Sequence, residues 1–103
     1  MALATVADAL AGKLPEGSKV TVRGWARSRR DSKGGFSFVH LNDGSCFDSL
    51  QIVAPASLAN YEGDVLKVTA GCSIQATGTL ARSQGKGQSF ELQAEKFEVV
   101  GWV

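Results

Sequence analysis

This sequence has few of the residues on which catalysis, metal binding and covalent cross-linking depend. Its 103 residues include one histidine, two cysteines and two prolines. Cys46 and Cys72 stand outside any Cys-x-x-Cys arrangement and away from the histidine, so we expect packing thiols rather than a disulfide or a metal site. His40 has no second histidine with which to build a zinc site, and the chain barely offers the partners of a Ser-His-Asp triad. We therefore expect no catalytic residues, no metal ligands and no enzyme activity in this chain by itself.

Long hydrophobic runs are also lacking. No apolar segment approaches the roughly 20 residues that a transmembrane helix requires. The first residues, Met-Ala-Leu-Ala-Thr, have neither the basic region nor the long apolar region of a secretory signal. We therefore expect no membrane association and a cytoplasmic location. With 44% apolar and 20% charged residues, the chain is predicted to form one soluble domain over residues 1–103.

Net charge is small, but the total of +1 conceals a polarised distribution. Between Lys19 and Asn42 six basic residues and one acid give +5, while the other five basic residues and nine acids give −4. The basic residues of this segment are Lys19, Arg23, Arg27, Arg29, Arg30 and Lys33. A local positive patch attracts anions even when the whole protein is nearly neutral, so this segment indicates a nucleic-acid partner.

Alternation of apolar and polar residues predicts five β-strands. These strands cover about residues 20–30, 36–42, 49–53, 71–80 and 89–100. Gly24 predicts a bulge or bend in the first strand, and a change of phase near Glu95 and Lys96 predicts another in the last strand.

Two short helices are predicted beside the strands. Thr5 and Asp8 have the chemistry of a helix N-terminus, which predicts a helix within residues 1–13. Residues 58–68 predict a second, short or irregular helix, because Gly63 weakens it. The order of three strands, a helix and two strands predicts an all-β, five-stranded Greek-key barrel over residues 18–100. This is the oligonucleotide/oligosaccharide-binding (OB) fold, which binds nucleic acid through its second and third strands.

The second and third predicted strands carry the candidate binding face. Four of their residues are expected to fill the interior: Val39, Leu41, Leu50 and Ile52. The pleat then turns Phe36, Phe38, His40 and Gln51 outward. An exposed ring stacks on an unpaired base, an amide reads a base edge, and arginines on the adjoining strand donate to phosphates or bases. Purely structural interpretations remain open. The two phenylalanine rings could pack under a loop, the arginines could be solvated residues that protect an exposed strand, and His40 could be a surface residue without a binding role.

The segment from Val20 to Val53, VTVRGWARSRRDSKGGFSFVHLNDGSCFDSLQIV, resembles the anticodon-binding domain of class II aminoacyl-tRNA synthetases of the aspartate, asparagine and lysine group. The motifs SKGGFSF and NDGSCFDSLQ, the segment NYEGDVLKVTAGCSIQATG and the closing FEVVGWV are most similar to bacterial asparaginyl-tRNA synthetases. The resemblance covers nearly the whole chain.

The resemblance implies a role for particular residues. In that family the central uracil of the anticodon stacks on a strand-two phenylalanine and is read by an arginine and a strand-three glutamine, which correspond here to Phe38, Arg30 and Gln51. Weaker candidates for further tRNA contacts are Arg23, Arg27, Arg29, Lys33, Phe36, His40 and Lys86.

The resemblance also implies what lies outside this chain. The ATP- and magnesium-dependent catalytic domain of the family is expected after residue 103, and no cofactor is expected within residues 1–103. The full-length family protein is expected to be a homodimer through that catalytic domain, whereas the isolated domain is expected to be a monomer. Two alternatives of different class are a free-standing single-stranded nucleic-acid or tRNA-binding adaptor and a purely structural barrel.

Overall fold

The computed structural model describes residues 2–11, 14, 17–32, 34–47, 49–81 and 90–102. Within these residues the strands are β1 (Ala2–Leu3), β2 (Lys19–Ser32), β3 (Phe36–Asn42), β4 (Leu50–Pro55), β5 (Ser73–Ala81) and β6 (Glu91–Gly101). The helix α1 covers Val6–Leu10, and a single 3-10 turn covers Val65–Lys67. The protein is therefore mostly β. The five predicted strands are all present, and the two-residue strand β1 is an addition that the sequence did not predict.

The five long strands pair in a continuous circuit. The order within the sheet is β1-β2-β3-β4-β6-β5, and β2 also pairs with β5. The 14-residue strand β2 makes this possible, because its first half pairs with β5 and its second half pairs with β3, with Trp25 in register with both partners. The pairing of β4 with β6 is parallel, whereas β2, β3 and β4 follow one another antiparallel.

A bulge or a bend was predicted at Gly24, and the bulge of this strand lies elsewhere. Gly24 stays in register with Ile74, and the irregularity lies at Arg27, between Ala26 and Ser28. Glycine is needed at position 24 for a different reason: a Cβ atom there would lie 2.3 Å from the carbonyl oxygen of Asn42. The second predicted irregularity is confirmed, because the register of β5 and β6 shifts where Glu95 is left between two pairs.

The interior is apolar, and the inward prediction for the second and third long strands is confirmed. Val39, Leu41, Leu50 and Ile52 are all completely buried. They pack in one core cluster with residues from every other long strand, among them Val22, Ile74, Leu80, Leu92 and Phe97.

The segment between β4 and β5 is less helical than predicted. Over residues 58–68 the chain forms successive turns and the single 3-10 turn Val65–Lys67. The short or irregular helix that was predicted here is limited to that 3-10 turn, and Tyr61 and Val65 are buried. Gly63, which has low helix propensity, lies in the middle of this segment.

Helix α1 is shorter than the predicted region 1–13, but its N-terminus is as expected. The hydroxyl of Thr5 accepts a hydrogen bond from the backbone N–H of Asp8 at 3.1 Å. The loop after β3 supplies two further acceptors: the carboxylate of Asp43 accepts from the N–H of Val6, and the hydroxyl of Ser45 accepts from the N–H of Ala7, each at 2.9 Å. Three N–H groups that have no partner within a helix are thereby satisfied, and the helix is fixed against the end of β3.

The Asp43 contact predicts a pH-dependent stability. Partial burial alone would raise the pKa of Asp43, but hydrogen bonds from the Ser45 hydroxyl and from the N–H groups of Val6 and Ser45 outweigh it and hold the pKa below 3.8. Because the folded-state pKa is the lower one, the contact stabilises the fold above the unfolded-state pKa and is lost as the pH falls through the folded-state value. We expect Asp43→Ala to lower the free energy of unfolding by about 1 kcal/mol at pH 7, and the difference from wild type to shrink toward pH 3.

Urea denaturation at pH 7, 5, 4 and 3 measures this difference. Glu62→Ala removes an exposed carboxylate from the segment after β4 and is the matched control, with little change expected. A difference for Asp43→Ala that stays constant down to pH 3 would contradict the assignment.

Candidate nucleic-acid interface

The cross-strand register brings the main candidates to one outward face. Arg30 is in register with Phe38, and His40 is in register with Gln51. Residues in register on neighbouring strands project from the same side of the sheet. We call this surface the Phe38 face; it consists of Arg30, Phe36, Phe38, His40, Gln51 and Glu91.

The bulge at Arg27 determines which arginine reaches this face. In strict alternation from the buried residues Val20 and Val22, Arg29 would project outward and Arg30 inward. The extra residue at position 27 reverses the phase, so that Arg30 lies opposite Phe38, while Arg29 lies opposite the buried Val39.

Two neighbours hold the Phe38 ring. The guanidinium carbon of Arg30 lies 5.5 Å from the ring centroid, and the Phe36 ring meets it edge to face, with centroids 5.1 Å apart and an angle of 89° between planes. Phe38 is half-buried and Arg30 is exposed. An exposed cation–π contact contributes about 0.5–1 kcal/mol, whereas base stacking on an aromatic side chain contributes about 1–3 kcal/mol. A base can therefore displace Arg30 from the ring at little cost.

Gln51 and His40 form the polar part of the face. Both side chains are half-buried, and the Nε2 atom of His40 lies 3.4 Å from the Oε1 atom of Gln51. Gln51 lies two pairs along the β3–β4 ladder from Val53, the partner of Phe38. The amide is therefore a diagonal neighbour of the ring, within reach of the edge of a base that stacks on it.

Arg29, one of the weaker candidates, is not brought to the Phe38 face. Its Nε donates to the carbonyl oxygen of Val68 at 2.9 Å, and its Nη1 donates to the two carboxylate oxygens of Asp31 at 2.6 and 2.7 Å. The hydroxyl of Ser37 also donates to Asp31, at 2.7 Å, and lies 2.8 Å from the hydroxyl of Tyr61. The Ser37 hydroxyl and the Arg29 guanidinium hold the pKa of Asp31 below its ordinary value. Arg29 thus ties the β2–β3 hairpin to the segment before β5.

The other weaker candidates lie at different distances from the face. Arg23 belongs to the half of β2 that pairs with β5, and its Nε donates to the amide oxygen of Gln75 at 2.6 Å. Arg27 is exposed at the bulge, and its Nη1 donates to the carbonyl oxygen of Phe47 at 3.3 Å. Lys33 and Lys86 lie outside the described residues.

The sequence interpretation missed Glu91, which belongs to the Phe38 face, and Phe47, an exposed ring outside that face. Glu91 is in register with Gln51 through the parallel pairing of β4 and β6 and so adds a carboxylate to the Phe38 face. No local pattern could have indicated this, because parallel pairing joins segments that are distant in sequence. Phe47, in the loop between β3 and β4, is 97% exposed. Its position in a turn, outside any alternating segment, could have indicated that the ring is exposed.

Two further properties apply only to the part of the chain that the structure describes. No group of three or more His, Cys, Asp or Glu side chains there is arranged to hold a metal ion. No helix there has the length and apolar character needed to cross a membrane.

Comparison with known proteins reveals relatives over the whole chain. The asparagine–tRNA ligase of Idiomarina loihiensis is 59% identical over all 103 residues, and that of Myxococcus xanthus is 57% identical over the same residues; the chain spans 22% of the length of each. A solved asparaginyl-tRNA synthetase of Entamoeba histolytica, in complex with asparaginyl-adenylate, superposes with a TM-score of 0.79 at 27% identity and covers the whole chain and 24% of that protein. An OBody bound to hen egg-white lysozyme superposes with a TM-score of 0.80 at 14% identity, which is a likeness of fold alone.

A family model described as an OB-fold nucleic acid binding domain, of the tRNA anticodon type, matches residues 20–100. This range includes β3, β4 and β5, all but one residue of β2 and of β6, and every residue of the Phe38 face. The chain therefore belongs to the tRNA anticodon family of OB-fold nucleic acid binding domains.

Proposed function

We propose that this chain reads the anticodon of a tRNA with a central uracil, as the anticodon-binding part of an asparagine–tRNA ligase. The observation that carries the proposal is the placement of Arg30, Phe38 and Gln51 on one face of β2, β3 and β4. The identity of 57–59% to asparagine–tRNA ligases over the whole chain supports the choice of ligase.

The chemistry of the face suits an unstacked base. The Phe38 ring offers a stacking surface, and stacking is available to every base because each has a π-face. Selection therefore depends on the polar groups around the ring. Arg30 can only donate hydrogen bonds, and Gln51 offers one donor end and one acceptor end. Uracil presents two carbonyl oxygens, and the guanidinium of Arg30 and the amino end of the Gln51 amide can each donate to them.

The rest of the ligase belongs to the proposal as well. The chain matches only the anticodon-binding part of its relatives, and the catalytic domain lies outside it. We propose that ATP and magnesium act in that domain, that homodimers form through it, and that the protein works in the cytoplasm. We also propose that residues 18–100 form the closed Greek-key barrel of the OB fold, in agreement with the circuit of strand pairings.

Titration of the isotope-labelled chain with anticodon stem-loops tests the proposed function. Stem-loops that differ only at the middle anticodon base, with uracil, cytosine or adenine there, are compared by chemical-shift mapping. We expect the largest shift changes on the Phe38 face and an affinity for the uracil stem-loop that is about tenfold higher than for the others.

The affinities, together with the residues whose chemical shifts change, distinguish the alternatives. Equal affinities for all stem-loops, with shifts on the Phe38 face, would favour a free-standing single-stranded nucleic-acid or tRNA-binding adaptor. The absence of binding to any stem-loop would overturn the proposal.

A further inference from the structure

The contact between His40 and Gln51 gives the Gln51 side chain a direction. These residues are in register across β3 and β4, and Gln51 turns its amide oxygen toward the His40 Nε2 atom, at 3.4 Å. A carbonyl oxygen can only accept a hydrogen bond, so the imidazole nitrogen is the donor. The amino end of the Gln51 amide then points away from His40.

We propose that His40 is a positioning residue that orients the Gln51 amide with its amino group toward the bound base, and that this orientation selects uracil over cytosine. The proposal rests on the proposed function, because it concerns how the same site recognises the middle anticodon base. It assigns to His40 a role through Gln51 rather than a direct contact with the RNA.

The selectivity follows from the asymmetry of the amide. An amide that is free to turn by 180° can present either its amino group or its oxygen, and so can pair with a base carbonyl or with a base amino group. Uracil has a carbonyl oxygen at the position where cytosine has an amino group. When His40 holds the amide oxygen, Gln51 can only donate to the base, as Arg30 does. Cytosine would then place its amino group against donors and leave a hydrogen bond unmade.

The neighbouring groups are consistent with this orientation. From β2, Ser28 is in register with His40 and Arg30 lies two pairs further along, so neither brings a carboxylate that would hold the imidazole elsewhere. From β6, the carboxylate of Glu91 belongs to the residue in register with Gln51. A carboxylate has no donor with which to compete with His40 for the amide oxygen of Gln51.

The test measures the ratio of affinities for uracil and cytosine stem-loops rather than either affinity alone. We expect a ratio of about tenfold in the wild-type chain and a fall to within about threefold in His40→Ala. His40→Asn keeps a side-chain donor and is expected to retain part of the preference. Gln51→Glu, which has no donor, is expected to lose the preference for uracil even with His40 present.

A double-mutant comparison separates positioning from other roles. In a Gln51→Ala background, His40→Ala should leave the ratio unchanged, because there is no amide to orient. A ratio that changes equally in both backgrounds would show that His40 contacts the base itself. A loss of affinity for both stem-loops by the same factor would show a structural role, and either result overturns the inference.

The proposed function and the role of His40 can fail separately. If the wild-type chain binds no stem-loop, the proposed function fails. If it binds and His40→Ala keeps the wild-type ratio while folding normally by circular dichroism, only the role of His40 fails. Should His40→Ala not fold, His40→Leu, which keeps side-chain bulk but has no hydrogen-bond donor, provides the comparison, and a wild-type ratio in that variant would likewise contradict the inference.

Discussion

Replacing Phe38 with alanine is expected to weaken binding of the uracil anticodon stem-loop by about 1–3 kcal/mol, a factor of roughly five to more than one hundred. The ring lies on the outward face of β3, half-buried between Phe36 and Arg30, and removing it removes the stacking surface. The Arg30 guanidinium would remain to attract phosphate, so some salt-dependent binding should persist. Isothermal titration or fluorescence anisotropy at fixed salt measures the change.

Phe47→Ala is the matched control for Phe38→Ala. Phe47 is also a phenylalanine in the described part of the chain, and it is 97% exposed, but it lies in the loop between β3 and β4, outside the Phe38 face. If binding depends on a defined stacking position, Phe47→Ala should retain most of the affinity. Equal losses in the two variants, or unchanged affinity in Phe38→Ala with its thermal melting intact, would count against the stacking role of Phe38.

Gly24→Ala is expected to destabilise the fold by about 3 kcal/mol and to lower the melting temperature by more than about 10 °C. A Cβ atom at position 24 would lie 2.3 Å from the carbonyl oxygen and 2.9 Å from the carbonyl carbon of Asn42. These are backbone atoms at the end of β3, so they cannot rotate away as the end of a long side chain could. The strain falls where β2 passes from its pairing with β5 to its pairing with β3.

Gly63→Ala provides the comparison for Gly24→Ala. Gly63 lies in the turns between β4 and β5. Apart from Gly63 and its two chain neighbours, no heavy atom of the described residues lies within 4 Å of the position that a Cβ atom would take there. The same substitution there should change the stability by less than about 1 kcal/mol, in either direction. Melting curves of both variants by circular dichroism measure the difference in stability. Equal melting temperatures would contradict the steric explanation.

Much of the fold could be predicted because strand alternation is a local property. Val39 and Leu41 alternate with Phe38 and His40 over a few residues, and the pleat alone then determines which side chains share a face. The N-terminus of α1 was predictable for a similar reason, since Thr5 and Asp8 lie three residues apart. The segment 58–68 was harder, because its apolar spacing is helical while Gly63 and the surrounding contacts favour turns.

The candidate site was only partly predictable, because its arginine depends on a bulge. Arg29 and Arg30 are adjacent and chemically identical, and their sequence context does not distinguish an inward from an outward position. The extra residue at position 27 shifts the register with β3, so that Arg30 lies at the Phe38 ring. Arg29 instead binds Asp31 of its own strand and ties the hairpin to Val68. The resemblance to the synthetase family pointed to Arg30, but the physical reason is visible only in the strand pairing.

The amino-acid sequence by itself determined the strands, the inward residues, the positive segment and the presence of aromatic and amide side chains on one strand face. These features depend on side chains a few residues apart, so composition and periodicity contain them. Only the tertiary structure decided four features: the bulge at Arg27, the packing of Gly24 against the Asn42 carbonyl, the His40–Gln51 contact and the pairing of Glu91 with Gln51. Each of these depends on register between segments that meet only when the sheet assembles, because backbone hydrogen bonds can form in several registers and core packing selects one.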